Sequence, residues 1–275
     1  MQQPGLIFIF ITINCISACA PLTIAGMAGQ TLVSTALNTA VATREENQIK
    51  AGQNHEIAVA NYNVGVEYIR RGNFDKALDR LIRARDADPE YIPVYNALGV
   101  TYQNMEAPDK AEENYKKALK LDAGNSDTLN NYGQFLCKTE RAADADQYFM
   151  KAAANPLYQT PEIPYTNAGI CAQMHEQQDQ AVEYFNRALS LNPNIPAALL
   201  QMSEISYSKG NYSAARDYCK RYLNVSGHTA RSLWLGIRIE HELGDKDAVS
   251  SYAMLLRNDF PKTDEAKLLK ESGLR

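Results

Sequence analysis

Long runs of one charge are missing from this sequence. Its 28 Lys and Arg residues against 32 Asp and Glu residues give a formal net charge of -4 and a pI near 5.7. No basic stretch is long enough to follow a phosphate backbone, so nucleic acid is not an expected partner. A hydrophobic content of 45% and a charged content of 22% lie in the globular range. A core can therefore form without disulfides or metal.

The sequence also lacks the local motifs that carry chemistry. The four histidines, His55, His175, His228 and His241, stand in separate contexts, and none has a metal-ligand spacing such as HExxH. The phosphate-cradling GxxxxGK[ST], the dinucleotide-binding GxGxxG and the nucleophile motif GxSxG are all missing. We therefore expect no enzyme, no cofactor and no metal site, and we interpret each histidine as a surface or capping residue.

A short apolar run lies near the N-terminus, at Leu6 to Ile13. It is too short to span a bilayer comfortably and has the length of a signal-peptide core. The sequence that follows, Ile16-Ser17-Ala18-Cys19, resembles the lipobox of bacterial lipoproteins. The resemblance implies that residues 1–18 are a signal peptide and that Cys19 carries several acyl chains, enough for stable anchoring. Ala20, in place of Asp, implies a lipid anchor in the outer membrane, with the chain on its periplasmic face.

One feature departs from this pattern. Residues Met1 to Pro4 contain no Lys or Arg, which a secretory signal ordinarily has. A buried N-terminal strand or an uncleaved anchor therefore stays open. Cys15 is the rival lipidation site, although Asn14 before it fits poorly. We interpret residues 19–57, rich in Ala, Thr, Gly and Gln, as a lipidated tether with a helical part between residues 31 and 42.

A period of about 34 residues organises the rest of the chain. A small residue recurs with separations of 34, 34, 36, 34 and 33, at Gly65, Gly99, Gly133, Gly169, Ser203 and Gly236. Sixteen residues after each of these comes a larger one, at Leu81, Tyr115, Phe149, Phe185, Cys219 and Tyr252. This is the tetratricopeptide period, in which the small residue lets two helices of a hairpin approach closely.

The period predicts an all-α fold, a right-handed superhelical solenoid of six tetratricopeptide repeats. Their predicted ranges are 58–91, 92–125, 126–161, 162–195, 196–228 and 229–262. Residues 263–275 then read as a C-terminal capping helix that covers the last hairpin.

The first helices of stacked repeats line the concave side, with positions 2, 5, 9, 12 and 13 facing the groove. In repeat 1 these positions are largely apolar, and they are Val59, Tyr62, Val66, Ile69 and Arg70. Val64 and Tyr68 are assigned to packing within the hairpin. Repeat 2 places Asn96 and Val100 in the groove, and its other positions are polar. An apolar end beside a polar remainder indicates a protein-binding patch. The alternative is that the tether folds back and covers Tyr62 and Ile69.

Cys137 and Cys171 are candidates for a disulfide. Both fall in the first helices of their repeats, the third and fourth, which are neighbours in the stack. Cys219 occupies the buried large-residue position of repeat 5, which removes it from pairing. An oxidising periplasm favours the bond. The alternative is that both are small core residues, because free Cys packs as a hydrophobe.

Specific stretches resemble one family, the type IV pilus biogenesis and stability lipoproteins, which are pilotins of the pilus secretin. LNNYGQFLC at 129–137 is similar to the family's third repeat, and ARSLWLGIRIEHELGD at 230–245, SSYA at 250–253 and FPKT at 260–263 are similar to its sixth. The resemblance implies a periplasmic solenoid that escorts secretin subunits to the outer membrane and supports their assembly into a ring. The expected partners are secretin subunits and, through the lipid, the outer membrane; we expect a monomer.

Two other classes of function stay open. One is a general tetratricopeptide scaffold lipoprotein that serves outer-membrane protein or peptidoglycan assembly. The other is a periplasmic enzyme that carries a repeat domain, which the sequence disfavours because the repeats leave no room for a catalytic domain.

Overall fold

The computed structural model describes the backbone of residues 25–274 and the side chains of residues 39–274. This part of the chain contains thirteen α-helices and no strand, which confirms the all-α tetratricopeptide fold. The predicted signal peptide and Cys19 lie outside the described residues. The chain divides into two units, with the boundary between Asn54 and His55.

Helix α1 spans Ala25–Arg70 and corrects the sequence interpretation of the tether. A helical part was expected only between residues 31 and 42, and the predicted start of repeat 1 at residue 58 falls inside this helix. The physical reason is composition: residues 22–70 contain no proline, and Ala, Glu and Gln are good helix formers. The polar composition of this segment therefore indicates an exposed helix as readily as a flexible linker.

The remaining helices form hairpins that fall within the predicted repeat ranges. The first hairpin pairs the C-terminal part of α1 with α2. The helices are α2 (Phe74–Ala87), α3 (Ile92–Asn104), α4 (Pro108–Leu121), α5 (Ser126–Lys138), α6 (Ala142–Ala153), α7 (Glu162–Met174), α8 (Gln178–Leu191), α9 (Pro196–Ser208), α10 (Tyr212–Ser226), α11 (Ala230–Glu242), α12 (Lys246–Asp259) and α13 (Asp264–Ser272). The first helices of neighbouring repeats contact one another, and α13 packs on α11 and α12.

Each hairpin closes where a small residue faces a large side chain. A Cβ added at Gly99 would lie 2.6 Å from the fully buried ring of Tyr115, a contact that no real side chain tolerates. Repeat 5 differs at both positions: Ser203 replaces the glycine, and Cys219 replaces the larger side chain found in the other repeats. The Ser203 hydroxyl donates a hydrogen bond to the carbonyl oxygen of Ala215 at 2.8 Å. The smaller thiol leaves room for the hydroxyl.

A disulfide joins α5 to α7 in the structure. Cys137 and Cys171 are bonded, with their Cα atoms 5.8 Å apart, within the range that a disulfide spans without backbone movement. Cys219 is free and buried, and burial raises the pKa of its thiol to about 11. The bonded pair is the one that was predicted from the positions of the cysteines within the repeats.

Candidate protein-binding groove

The apolar residues predicted for repeat 1 lie on one face of α1. Val59, Tyr62, Val66 and Ile69 are all half-buried, and we call these four the repeat 1 patch. Arg70 next to them is exposed. Tyr62 and Ile69 also support the junction with repeat 2, because they pack against a buried cluster formed mainly by α2 and α3. Val59 and Val66 are not part of that packing. The valines are thus free to contact a partner without loss of that packing.

Tyr62 is held by residues from the connection between α2 and α3. Its ring meets the ring of Tyr91 edge-on, with 5.5 Å between centroids, and His55 meets the same Tyr91 ring at 5.1 Å. His55 Nδ1 lies 2.6 Å from Asp88 Oδ2, and this hydrogen bond lowers the pKa of the Asp88 carboxyl. Burial raises the pKa of the Tyr62 phenol. Tyr62 therefore presents a fixed ring rather than a mobile one.

Val64 corrects the sequence interpretation, which assigned it to packing. Its side chain is 42% exposed, and Ile57, two turns earlier, is 52% exposed. The equivalent residues of later repeats, such as Leu98 and Leu235, are buried. Their helices pack against the second helix of the preceding repeat. Within residues 25–274 no repeat precedes repeat 1, so the same position stays open. This could have been inferred from the repeat order alone.

A ladder of side-chain amides crosses α3, α5 and α7. Asn131 Nδ2 donates to Asn96 Oδ1 at 3.1 Å, and Asn167 Nδ2 donates to Asn130 Oδ1 at 2.9 Å. Asn130 Nδ2 and Gln134 Nε2 both donate to Asn131 Oδ1, at 3.4 and 3.3 Å. Val100, the other predicted groove residue of repeat 2, is half-buried. Primary amides both donate and accept, so the ladder suits the backbone of an extended peptide.

An arginine stacks between aromatic rings on the first helices of repeats 5 and 6. Arg238 Cζ lies 4.7 Å from the ring centroid of Tyr207 and 5.7 Å from that of Trp234. Its Nε is buried and has no hydrogen-bond partner within residues 39–274. The stretch that carries Trp234 and Arg238 is one of those that resemble type IV pilus biogenesis proteins, and no function was assigned to it from the sequence.

The histidines take structural roles where contacts define them. His55 pairs with Asp88, and His175 caps the C-terminus of α7. The side chains of Cys137, Cys171 and His175 lie close together, as three metal ligands would. However, the two sulfurs are bonded to each other and offer no thiolate, which is the form that binds metal. Within the described part of the chain, no helix is both long enough and apolar enough to cross a bilayer.

Comparison with known proteins identifies the family. Tetratricopeptide repeat family models match residues 92–125 and 175–230. The chain is 33% identical over 231 residues to the type IV pilus assembly protein PilF of Pseudomonas aeruginosa. The aligned region covers 84% of this chain and 92% of PilF. This chain belongs to the PilF family of type IV pilus assembly proteins. The predicted resemblance to type IV pilus biogenesis proteins is thereby confirmed.

Solved structures agree with membership of the PilF family. A structure of Pseudomonas aeruginosa PilF has a TM-score of 0.70 at 33% identity and covers 80% of this chain and 99% of its own. A structure of PilW, described as a widely conserved type IV pilus biogenesis factor, has a TM-score of 0.68 at 30% identity, with coverages of 78% and 98%. The chain is therefore similar to both proteins over nearly their whole solved lengths.

Proposed function

We propose that this protein is a pilotin of the type IV pilus secretin. It binds secretin subunits through the repeat 1 patch and the amide ladder, and it supports their assembly in the outer membrane. The observation that carries the proposal is an apolar, half-buried patch at one end of an amide-lined surface, in a member of the PilF family. It acts as a monomer, by binding and without catalysis or cofactor.

Each part of the surface has its own task in this proposal. Val59 and Val66, with the open sides of Tyr62 and Ile69, bury apolar side chains of the secretin. Arg70 is exposed beside them and its guanidinium lies 3.9 Å from Glu67, so it remains available to a partner carboxylate. Asn96 and Val100 continue the surface into repeat 2. Apolar burial contributes about 25 cal/mol per Å², so the patch supplies affinity, and the amides orient the bound backbone.

The lipid anchor is part of the proposal and rests on the lipobox sequence. Acylation of Cys19 holds the protein at the periplasmic face of the outer membrane. Metabolic labelling with a fatty acid should be lost in Cys19→Ser and kept in Cys15→Ser. Labelling that persists in the Cys19 variant would contradict this part alone.

Affinity capture from detergent-solubilised envelope tests the partner. The wild-type protein should recover secretin subunits, and Val59→Ser/Val66→Ser should recover far fewer, because both serines replace apolar contacts outside the buried cluster. Val225→Ser is the matched control, since this valine of α10 is 40% exposed and far from repeat 1 in sequence. Capture of other envelope assembly machinery without secretin would support a general scaffold lipoprotein instead.

A further inference from the structure

A cationic groove lies between α2 and α4, with α3 as its floor. Its volume is about 570 Å³. Five cationic side chains and one carboxylate line it, together with two tyrosines and an asparagine: Arg85, Lys110, Lys116, Lys117, Lys120, Glu113, Tyr95, Tyr102 and Asn114. The chain as a whole has a formal charge of -4. The groove is therefore positively charged although the whole chain has a negative net charge.

Two of these cations already have a carboxylate partner, and three have none within residues 39–274. Lys116 Nζ lies 2.8 Å from Glu112, and Arg85 lies 2.8 Å from Asp86. Across residues 39–274, Lys110, Lys117 and Lys120 form no ion pair. Like charges in one groove repel each other, and an anionic occupant would reduce that repulsion.

The tyrosines hold two of these lysines over the floor. Lys110 Nζ lies 5.5 Å from the ring centroid of Tyr102, and Lys117 Nζ lies 5.7 Å from that of Tyr95. The Tyr95 hydroxyl donates to the carbonyl oxygen of Pro89 at 2.9 Å, which fixes the ring. A lysine that lies over a ring face has already lost part of its side-chain conformational entropy. Binding of an anion then costs less entropy. The groove thus places exposed positive charge beside the half-buried ring of Tyr102.

We propose that the cationic groove binds an acidic peptide segment of a partner protein. Its carboxylates pair with Lys110, Lys117 and Lys120, and an apolar side chain between them contacts the exposed part of the half-buried Tyr102 ring. This site lies between α2 and α4 and is separate from the repeat 1 patch and the amide ladder. Arg85 of α2 and the lysines of α4 flank the half-buried Tyr102 ring, and this arrangement suits a peptide that carries carboxylates on both sides of an apolar side chain.

Fluorescence anisotropy tests this with the full chain in detergent. The probe is a labelled peptide of Asp and Glu around a central Phe, with a matched peptide of Asn and Gln as comparison. Lys110→Gln/Lys117→Gln should weaken binding of the acidic peptide by about tenfold, as expected for loss of two partly screened charge pairs. Lys76→Gln/Lys151→Gln is the control. It removes the same charge from two other lysines that lie over tyrosine rings, at 5.7 and 5.5 Å.

The outcomes separate this proposal from its rivals. Equal weakening in both double variants would show unspecific attraction and overturn the proposal. Equal binding of the neutral peptide would do so as well. Binding to phosphatidylglycerol vesicles that depends on Lys110 and Lys117, without binding of the acidic peptide, would assign the groove to lipid. Val59→Ser/Val66→Ser should bind the peptide normally, so failure of the secretin proposal would leave this result unchanged.

Discussion

Single atoms decide whether a hairpin closes, and Gly99 is the clearest case. A Cβ there would lie 2.6 Å from Tyr115 Cε1, and the ring is fully buried and has no room to move. We expect Gly99→Ala to lower the free energy of unfolding by about 1 to 3 kcal/mol, the usual cost of overpacking. Denaturant unfolding measures it.

Gly52→Ala is the control for this change. Gly52 lies in a helix and has nothing within 4 Å of an added Cβ. Alanine there should leave stability unchanged or raise it by up to about 1 kcal/mol. Equal stability of Gly99→Ala and the wild type would show that α3 and α4 are not as close as described.

Glu112 has three side-chain partners that stabilise its charged form. Its Oε1 lies 2.8 Å from Lys116 Nζ, accepts from Arg141 at 3.0 Å and accepts from the Tyr132 hydroxyl at 2.8 Å. Hydrogen bonds from Lys116 first, then from Arg141 and Tyr132, lower its pKa to about 2. Because the folded-state pKa is depressed, this stability is present above the unfolded value near 4.5 and is lost as the pH falls toward 2.

We therefore expect Glu112→Gln to lower the free energy of unfolding at pH 7 by about 1 to 2 kcal/mol, after allowance for solvent screening. The variant should also lose part of the pH dependence between 4.5 and 2. Urea unfolding across that pH range measures both. Glu113→Gln, at the exposed neighbouring position, should behave like the wild type; a similar loss in both variants would contradict the assignment.

The repeat register predicted most of the surface at the residue scale. It placed the repeat 1 patch on one helix and selected the bonded cysteines. It did not predict the ring contact between Tyr62 and Tyr91, because Tyr91 lies outside α1, in the connection between α2 and α3. It also missed Asn131 and Asn167, since a ladder depends on how neighbouring helices align, and a single sequence shows only that asparagines are present.

At the scale of elements, the turns within the hairpins fall into two classes. The residue with positive φ is glycine in repeats 1, 5 and 6 and glutamate in repeats 2, 3 and 4: Gly72, Gly210, Gly244, Glu106, Glu140 and Glu176. After the glycines, a side chain caps the second helix, from Asn73, Asn211 or Asp245. After the glutamates, no side-chain cap is formed. The middle repeats therefore have the more strained and less capped turns.

This contrast predicts that Glu176→Gly/Gln177→Asn stabilises the protein. Glycine relieves a left-handed conformation that is unfavourable for other residues. Asparagine supplies the missing cap, and the backbone of Gln177, at φ -88° and ψ 61°, already resembles that of Asn211, at -85° and 71°. We expect a gain of about 1 to 2 kcal/mol in the free energy of unfolding. An unchanged midpoint in denaturant would show that the turn is not strained.

The disulfide stabilises the same middle repeats. It closes a loop with a sequence separation of 34, worth about 3 to 4 kcal/mol in the chain-entropy model. We expect Cys137→Ala/Cys171→Ala to lower the free energy of unfolding by an amount in that range. Reductant should lower the stability of the wild type to a similar degree and leave the double variant unchanged. Free thiols at both positions in the oxidised protein would contradict the bond.

The helix positions were predictable wherever the repeat pattern is present. They were not predictable in the N-terminal part of α1, which precedes the first repeat. Hairpins follow from the spacing of small and large residues, which recurs in every repeat. Residues 25–57 carry no such spacing, so only their composition was informative. Ala, Gln and Thr without a periodic apolar face are compatible with both a linker and an exposed helix, and the structure has a helix.

At the scale of the molecule, the stack of first helices brings separate residues together in the proposed binding surface. Val66 and Asn96 belong to different repeats, yet they become parts of one surface because successive first helices line the same side. The proposed acidic-segment site lies between α2 and α4 instead. If both proposals hold, these two surfaces of different chemistry would allow one protein to hold two segments at once.

The level of secretin multimers in the envelope tests the central proposal most directly. A strain that lacks this protein, complemented with Val59→Ser/Val66→Ser, is compared with one complemented with Val225→Ser. Both proteins must reach wild-type abundance and unfold at the same temperature. The account predicts few multimers with the patch variant and normal multimers with the control. Normal multimers with a folded, abundant patch variant would contradict it.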